Sequence, residues 1–183
     1  MRRGEILAIR WRDIDLETAY ANVARSLEFT KAAGCVFKEP KSRRGRRFIS
    51  LSPTLVTALI EHQAKQEEYK RQLGAGYHGD LVVCVEDGSV WKPPAFDSSY
   101  RQLLKRRNLD GPTFHALTHS HASHLLRSGV NAKVISERLG HSKVSFTLER
   151  YAHLLNGMQE EAASKIEDAM KTARDKIHPK HVS

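Results

Sequence analysis

The 183-residue sequence is poor in cysteine: Cys35 and Cys84 stand far apart, with no CxxC spacing. That argues against a disulfide framework or a structural zinc site and fits a reducing compartment such as the cytoplasm. No apolar run reaches the ~18 residues that a membrane-spanning helix needs. The opening MRRGEILAIRW has basic residues but no long apolar stretch and no small-residue cleavage site, so it does not read as a signal peptide. There is no phosphate-cradling glycine loop and no carboxylate cluster suited to Mg²⁺. Internal repeats, low-complexity tracts and proline-rich linkers are missing as well.

What is present in excess is positive charge. Thirty Lys and Arg against 21 Asp and Glu give a net charge of +9 and a pI near 9.7. Such an imbalance favours a polyanionic partner, most simply nucleic acid, with an anionic membrane surface as the weaker alternative. Charge kept only for solubility is the plain alternative. The 40% apolar and 28% charged content is that of an ordinary globular chain, long enough for one domain with a core.

The chain opens in an amphipathic helical pattern, GEILAIRW, with Ile6, Leu7 and Ile9 apolar and Asp13 and Asp15 closing it. No N-cap or turn precedes it, which predicts that an upstream part is missing. Residues 20–51 carry a β pattern in YANVARSLEFT, GCVFKEP and RRFISLS, separated by AAG and KSRRG. This predicts a small antiparallel sheet of about three strands. Ser52 and Pro53 then open a long helix with Leu55, Leu59 and Ile60 on one face and Gly74 near its end. The segment LVVCVEDGSVW reads as a short strand pair or an extended loop around Asp87-Gly88. Beyond it the spacing predicts five helices, over 95–108, 113–128, 131–139, 143–154 and 157–176, followed by a disordered tail.

Three stretches carry chemistry. In FKEPKSRRGRRFISLS, Lys41, Arg43, Arg44, Arg46 and Arg47 crowd the connection between two strands. A solvated turn needs one or two charges; this density suits a hairpin lying along phosphates or in a DNA groove. In RLGHSKVSFTLERYAHLL, His141 follows a helix end and Tyr151 lies on the next helix. Tyrosine, with a pKa of ~10, needs a base or a cationic surround to attack phosphorus at neutral pH, and packing is the commoner role for a helical tyrosine. In TFHALTHSHASHLL, His115, His119, His121 and His124 fall close together. Their offsets of 4, 6 and 9 do not share one helical face, and no cysteine or carboxylate stands near, so a zinc site is not expected.

Taken together, in this order, these motifs make the chain resemble the catalytic domain of the tyrosine recombinases, the phage-integrase family. MRRGEILAIRWRDID is similar to the family's first arginine box, which implies Arg2 as a catalytic arginine and Glu5 as its supporting acid. PKSRRGRRFISLS resembles the hairpin lysine box, with Lys41 as the catalytic lysine and Arg43, Arg44, Arg46 and Arg47 as DNA-binding residues. FHALTHSHASHLLRSGV resembles the His-x-x-Arg box, with His115 as its histidine and His119 as a supporting residue. LGHSKVSFTLERYAHL resembles the last box, with His141 as the second histidine and Tyr151 as the nucleophile. The resemblance implies a mixed α/β (α+β) fold, mainly helical with a small antiparallel three-stranded sheet. It implies breakage and rejoining of double-stranded DNA through a 3′-phosphotyrosine, with no metal and no small-molecule cofactor, in a bacterial or phage cytoplasm near the nucleoid.

The match has two departures. Thr118 stands where the second catalytic arginine belongs, and one neutral hydroxyl replaces a charged fork. Losing such a donor costs roughly 10²–10³ in rate. Arg127 completes another His-x-x-Arg with His124 but lies roughly 13 Å further along a helix, too far to substitute. The second departure is upstream: the family's separate DNA-clamping domain is expected before Arg2. The domain expectation is therefore a catalytic domain over 1–176, truncated at its N-terminus, and a disordered tail over 177–183. A catalytically impaired or dead DNA-binding remnant is the rival; a plain basic nucleic-acid-binding module is a third reading. Met158, Ala162, Ile166, Ala169, Met170 and Ala173 stripe the last helix, 157–176. That stripe packs within the chain or, as the resemblance suggests, supports self-assembly on DNA. Trp11 and Trp91 read as core residues.

Overall fold

The computed structural model describes residues 1–39, 46–109, 111–141, 143–151 and 158–177. Its helices are α1 (Arg3–Ile6), α2 (Pro53–Leu73), α3 (Pro93–Arg106), α4 (Phe114–Arg127), α5 (Ala132–Leu139), α6 (Val144–Tyr151) and α7 (Met158–Ile177). Its strands are β1 (Ile14–Asp15), β2 (Tyr20–Val23), β3 (Ser26–Thr30), β4 (Gly34–Lys38) and β5 (Arg47–Ser50). The fold is mainly helical with small antiparallel sheets, as the sequence pattern predicts.

The helix starts follow local chemistry. Ser52 accepts the Leu55 amide with Pro53 at the first helical position, Thr113 accepts the Ala116 amide, and Asn131 accepts the Lys133 amide. Gly140, at φ 69° and ψ 37°, ends α5 in the left-handed conformation that a side chain resists.

The β region departs in detail from the expected pairing of its three segments. YANVARSLEFT is two strands, divided at Ala24-Arg25, where Arg25 Nε donates to the Ala8 carbonyl at 2.8 Å. β2 pairs with β1 and β5, giving a three-stranded sheet in the order β1-β2-β5, while β3 and β4 form their own hairpin. The opening segment also differs: α1 is one turn, after which Leu7, Ala8 and Ile9 are buried and Arg10 bridges to Leu81.

The core has three clusters. One joins Leu7, Ala8 and Leu27 with Trp91 and Phe96; another joins Ile9, Ala21 and Val82 with Trp11 and Leu59. The third lies among α4, α5 and α6 and holds Ala122, Leu126, Ile135, Leu139 and Tyr151. α2 attaches differently from the predicted apolar face: Leu59 is half-buried, but Leu55 and Ile60 are 45% and 52% exposed. Its anchor is polar. The buried Gln66 accepts the Trp11 indole N–H at 2.6 Å and donates to the Val82 carbonyl at 3.0 Å, so a buried amide is satisfied on both sides.

Candidate active site

α4 carries one face from its first turn to its last. His115, His119, Ala122 and Leu126 recur at helical spacing; the last two are buried against Tyr151 of α6, and the histidines continue the stripe toward the helix start. His119 Nδ1 lies 3.0 Å from the Tyr151 hydroxyl, and His119 Nε2 lies 3.3 Å from His115 Nε2. The two imidazoles meet edge to face at 5.0 Å. His121 points elsewhere, accepting from Arg138 Nε at 3.2 Å.

The loop after α5 supplies the second approach to α6. His141 Nδ1 lies 2.8 Å from Thr147 Oγ1, one turn before Tyr151 on the same helix. Arg2 reaches the same loop, donating from Nη2 to the Gly140 carbonyl at 3.1 Å. Arg2, His115, His119, His141 and Tyr151 thus belong to one region. An open cavity of about 550 Å³ adjoins it, lined by Arg2, Arg3, Tyr100, Arg101, Phe114 and His115 among others.

Beneath Arg2 sits an ion pair. The Arg47 guanidinium grips the Glu5 carboxylate through Nη1–Oε1 at 3.0 Å and Nη2–Oε2 at 2.8 Å, and its Nε donates to the Arg138 carbonyl at 3.0 Å. Glu5 Oε2 also accepts the Arg2 amide at 2.7 Å. This corrects the expectation for Arg47. It is not on a DNA-facing surface; its side chain is 7% exposed and ties β5 to α1 and α5. Alternation explains the inversion, because Arg47 and Ile49 face inward on β5 while Phe48 and Ser50 face out. Arg46 does lie on the surface, paired with Glu39. Lys41, Arg43 and Arg44 lie outside the described residues, as do residues 152–157 and those from 178 on.

Thr118 faces the N-terminal segment and donates from Oγ1 to the Met1 carbonyl at 3.3 Å. Its hydroxyl is already engaged with backbone there. Among the described residues no group of histidines, cysteines and carboxylates is disposed to hold a metal ion. No helix among them is long and apolar enough to cross a membrane.

The electrostatics follow from burial and charge. Burial pushes the Tyr151 phenol above its ordinary 10.0, with Arg150 pulling weakly the other way. Burial, Arg150 and His115 lower His119 below 6.5; burial, then Arg2, His119, Arg47 and Arg150, lower His141. Both shifts favour the neutral imidazole at pH 7. Burial alone would raise Glu5, but the Arg47 hydrogen bonds and charge and the Arg2 amide outweigh it and hold the carboxyl below its usual range.

Two participants escape sequence reasoning. Charge density carries no facing information, so it misplaces Arg47 on the surface; the inward register of RFIS is the available signal. Thr147, four residues before Tyr151, is visible only as helical spacing.

Comparison with known proteins places these features in context. The chain is 28% identical over 180 residues to a "Tyrosine recombinase XerC-like" protein of Caldanaerobacter subterraneus subsp. tengcongensis, covering 92% of this chain and 46% of that protein. It is 32% identical over 167 residues to a putative prophage phiRv2 integrase of Mycobacterium tuberculosis, covering 90% and 42%. The chain thus spans about half the length of the curated relatives it matches. Among solved structures it is similar to the Tn1549 transposon integrase in complex with a circular intermediate DNA, with TM-score 0.74 and 19% identity over 91% of this chain and 54% of that one. It is also similar to XerA recombinase, with TM-score 0.65 and 21% identity over 90% and 52%. At those identities the structural likeness speaks for the fold alone. Residues 1–158 match the pattern of the phage integrase family, and the chain belongs to that family.

Proposed function

We propose that residues 1–176 are the catalytic domain of a site-specific DNA recombinase that cuts and rejoins double-stranded DNA through a phosphotyrosine at Tyr151. The observation that carries this reading is the convergence on Tyr151: a hydroxyl held by His119 at 3.0 Å, on a helix tied to His141 through Thr147, beside an Arg2 anchored on Gly140. The described chemistry of the relatives supports it, since their names are those of recombinases and integrases and the Tn1549 structures contain DNA.

In this reading Tyr151 attacks the scissile phosphorus, forming a 3′-phosphotyrosine and releasing a 5′-hydroxyl. Arg2 neutralises charge on a non-bridging oxygen as it develops. Glu5 and His119 support Arg2 and Tyr151 respectively. His115 and His141 orient the phosphate, and Lys41 protonates the leaving 5′-oxygen. The phosphotyrosine stores the bond energy, so neither nucleotide nor metal is required. Arg43, Arg44 and Arg46 hold the DNA backbone. The stripe Met158, Ala162, Ile166, Ala169, Met170 and Ala173 on 157–176 supports self-assembly on DNA; Ile166 and Met170 are 62% and 68% exposed. The protein works in the cytoplasm of a bacterium or phage-infected cell, at the nucleoid.

Thr118 favours a second reading, in which the fold binds DNA but cuts it slowly or not at all. A suicide DNA substrate, nicked so that religation is impossible, separates the two. A covalent protein–DNA adduct that disappears in Tyr151→Phe is expected. No adduct with either the natural chain or Thr118→Arg, despite salt-dependent DNA binding, would leave the binding reading.

A further inference from the structure

In this structure the histidine that touches the nucleophile is not the one at the head of the His-x-x-Arg-like box. We propose that His119 is a catalytic residue in its own right, the general base that takes the proton from Tyr151 during DNA cleavage and returns it during rejoining. This rests on the reading of Tyr151 as the nucleophile.

The base role sets the hydrogen-bond directions along these contacts. Among the described residues the Tyr151 O–H has His119 Nδ1 within reach at 3.0 Å. With that nitrogen accepting, the neutral ring carries its hydrogen on Nε2 and donates it to His115 Nε2 at 3.3 Å. His115 then has its hydrogen on Nδ1. In that tautomer the His119 lone pair points at the reacting oxygen, and His115 acts through it as a positioning residue. The charged and titratable groups around His119 are His115 on its own helix, Arg150 and Tyr151 on α6, and His141 from the following loop. Burial, then Arg150 and His115, favour the neutral His119 ring, the form competent to accept.

The balance of the step is simple. As the Tyr151 oxygen bonds to phosphorus, its proton moves to His119 Nδ1 and the ring becomes an imidazolium. The P–O5′ bond breaks, and the leaving oxygen takes a proton from a separate acid, Lys41 in the reading above. In rejoining, the 5′-hydroxyl attacks phosphorus and the departing phenolate recovers its proton from His119. The phenol stands above 10.0 and the imidazole below 6.5, so the proton moves with bond formation and not before it.

A suicide substrate with a 5′-bridging sulfur isolates the attack step, because a thiolate leaves without a proton. On it, His119→Ala and His119→Gln are expected to slow adduct formation by about 10²–10⁴-fold. The natural chain should lose rate only at a pH below the ordinary imidazole range of about 6.5, because burial, Arg150 and His115 lower His119; His119→Gln should lack that acid limb. Added imidazole should restore part of the rate to His119→Gly. Circular dichroism and DNA binding check that each variant folds, and Gln keeps the ring's hydrogen-bonding capacity should Ala fail. A His119→Gln rate within threefold of natural, an unchanged acid limb, or faster cleavage by either variant would overturn the base role. No adduct from the natural chain and from Thr118→Arg, or an adduct that survives Tyr151→Phe, would instead sink the recombinase reading and the base role with it.

Discussion

Arg47 and Glu5, 42 positions apart, share a two-pronged ion pair whose side chains are 7% and 9% exposed. Removing one member of such a pair strands the other charge in a dry site. Arg47→Ala is expected to destabilise the fold by about 3–5 kcal/mol. Urea denaturation measures this directly, and a loss below about 1 kcal/mol would mean that water reaches Glu5 freely. Removing both charges with Glu5→Gln and Arg47→Met should cost less than the two single changes added together.

The same pair sets an acid limit. Glu5 titrates below its ordinary 4.5 when folded. A lowered folded value contributes stability that is complete above the unfolded value and fades as pH falls through the folded one. Denaturation midpoints should therefore hold from pH 7 to about 5 and drop below about 4.5. In Glu5→Gln that part of the drop should vanish; an identical acid profile would assign the loss to other carboxylates.

If position 118 faces the scissile phosphate, Thr118→Arg would supply a charged fork there. Adduct formation on the suicide substrate is expected to rise by roughly 10²–10³. The change also breaks the Thr118–Met1 hydrogen bond, so a thermal melt should accompany the rate. An unchanged rate in a folded variant would show that the position does not face the reacting phosphate.

Gly140 combines a φ of 69° with close company: an added Cβ would stand 2.7 Å from Arg47 Nη1. Gly140→Ala should cost about 1–2 kcal/mol from backbone strain alone, and more from displacing Arg47. Its denaturation curve should fall between those of the natural chain and Arg47→Ala.

The basic segment before β5 can be read through salt. Changing Arg43, Arg44 and Arg46 to Ala should lower the slope of log affinity against log salt by about 0.9 for each phosphate that is no longer neutralised. Binding measured from about 50 to 200 mM salt yields that slope. An unaltered slope would mean that these arginines do not neutralise DNA phosphates.

Much of this is legible in the sequence, and the failures have identifiable causes. Helix starts at Ser52, Thr113 and Asn131 are readable because capping is local. The approach of His141 to α6 is readable because Leu-Gly ends a helix and leaves the next residue at its mouth. Arg47 is misread because charge is a composition signal whereas facing is a register signal, and register depends on which strand pairs with which. The split at Ala24-Arg25 hides that pairing, since it hinges on a contact to the Ala8 carbonyl. The contact of His119 with Tyr151, 32 positions away, requires the crossing of α4 and α6 that no local pattern specifies.

The contacts that close the site also order its making. Arg2 meets Gly140 across 138 positions, and Thr118 meets Met1 across 117. During synthesis at about 5–20 residues per second, the arginine segment leaves the ribosome many seconds before Gly140 and Tyr151 exist. Long-range closures of this kind come late in folding. A chain made only as far as residue 139 therefore carries Arg2 without the carbonyl that it anchors on and without Tyr151.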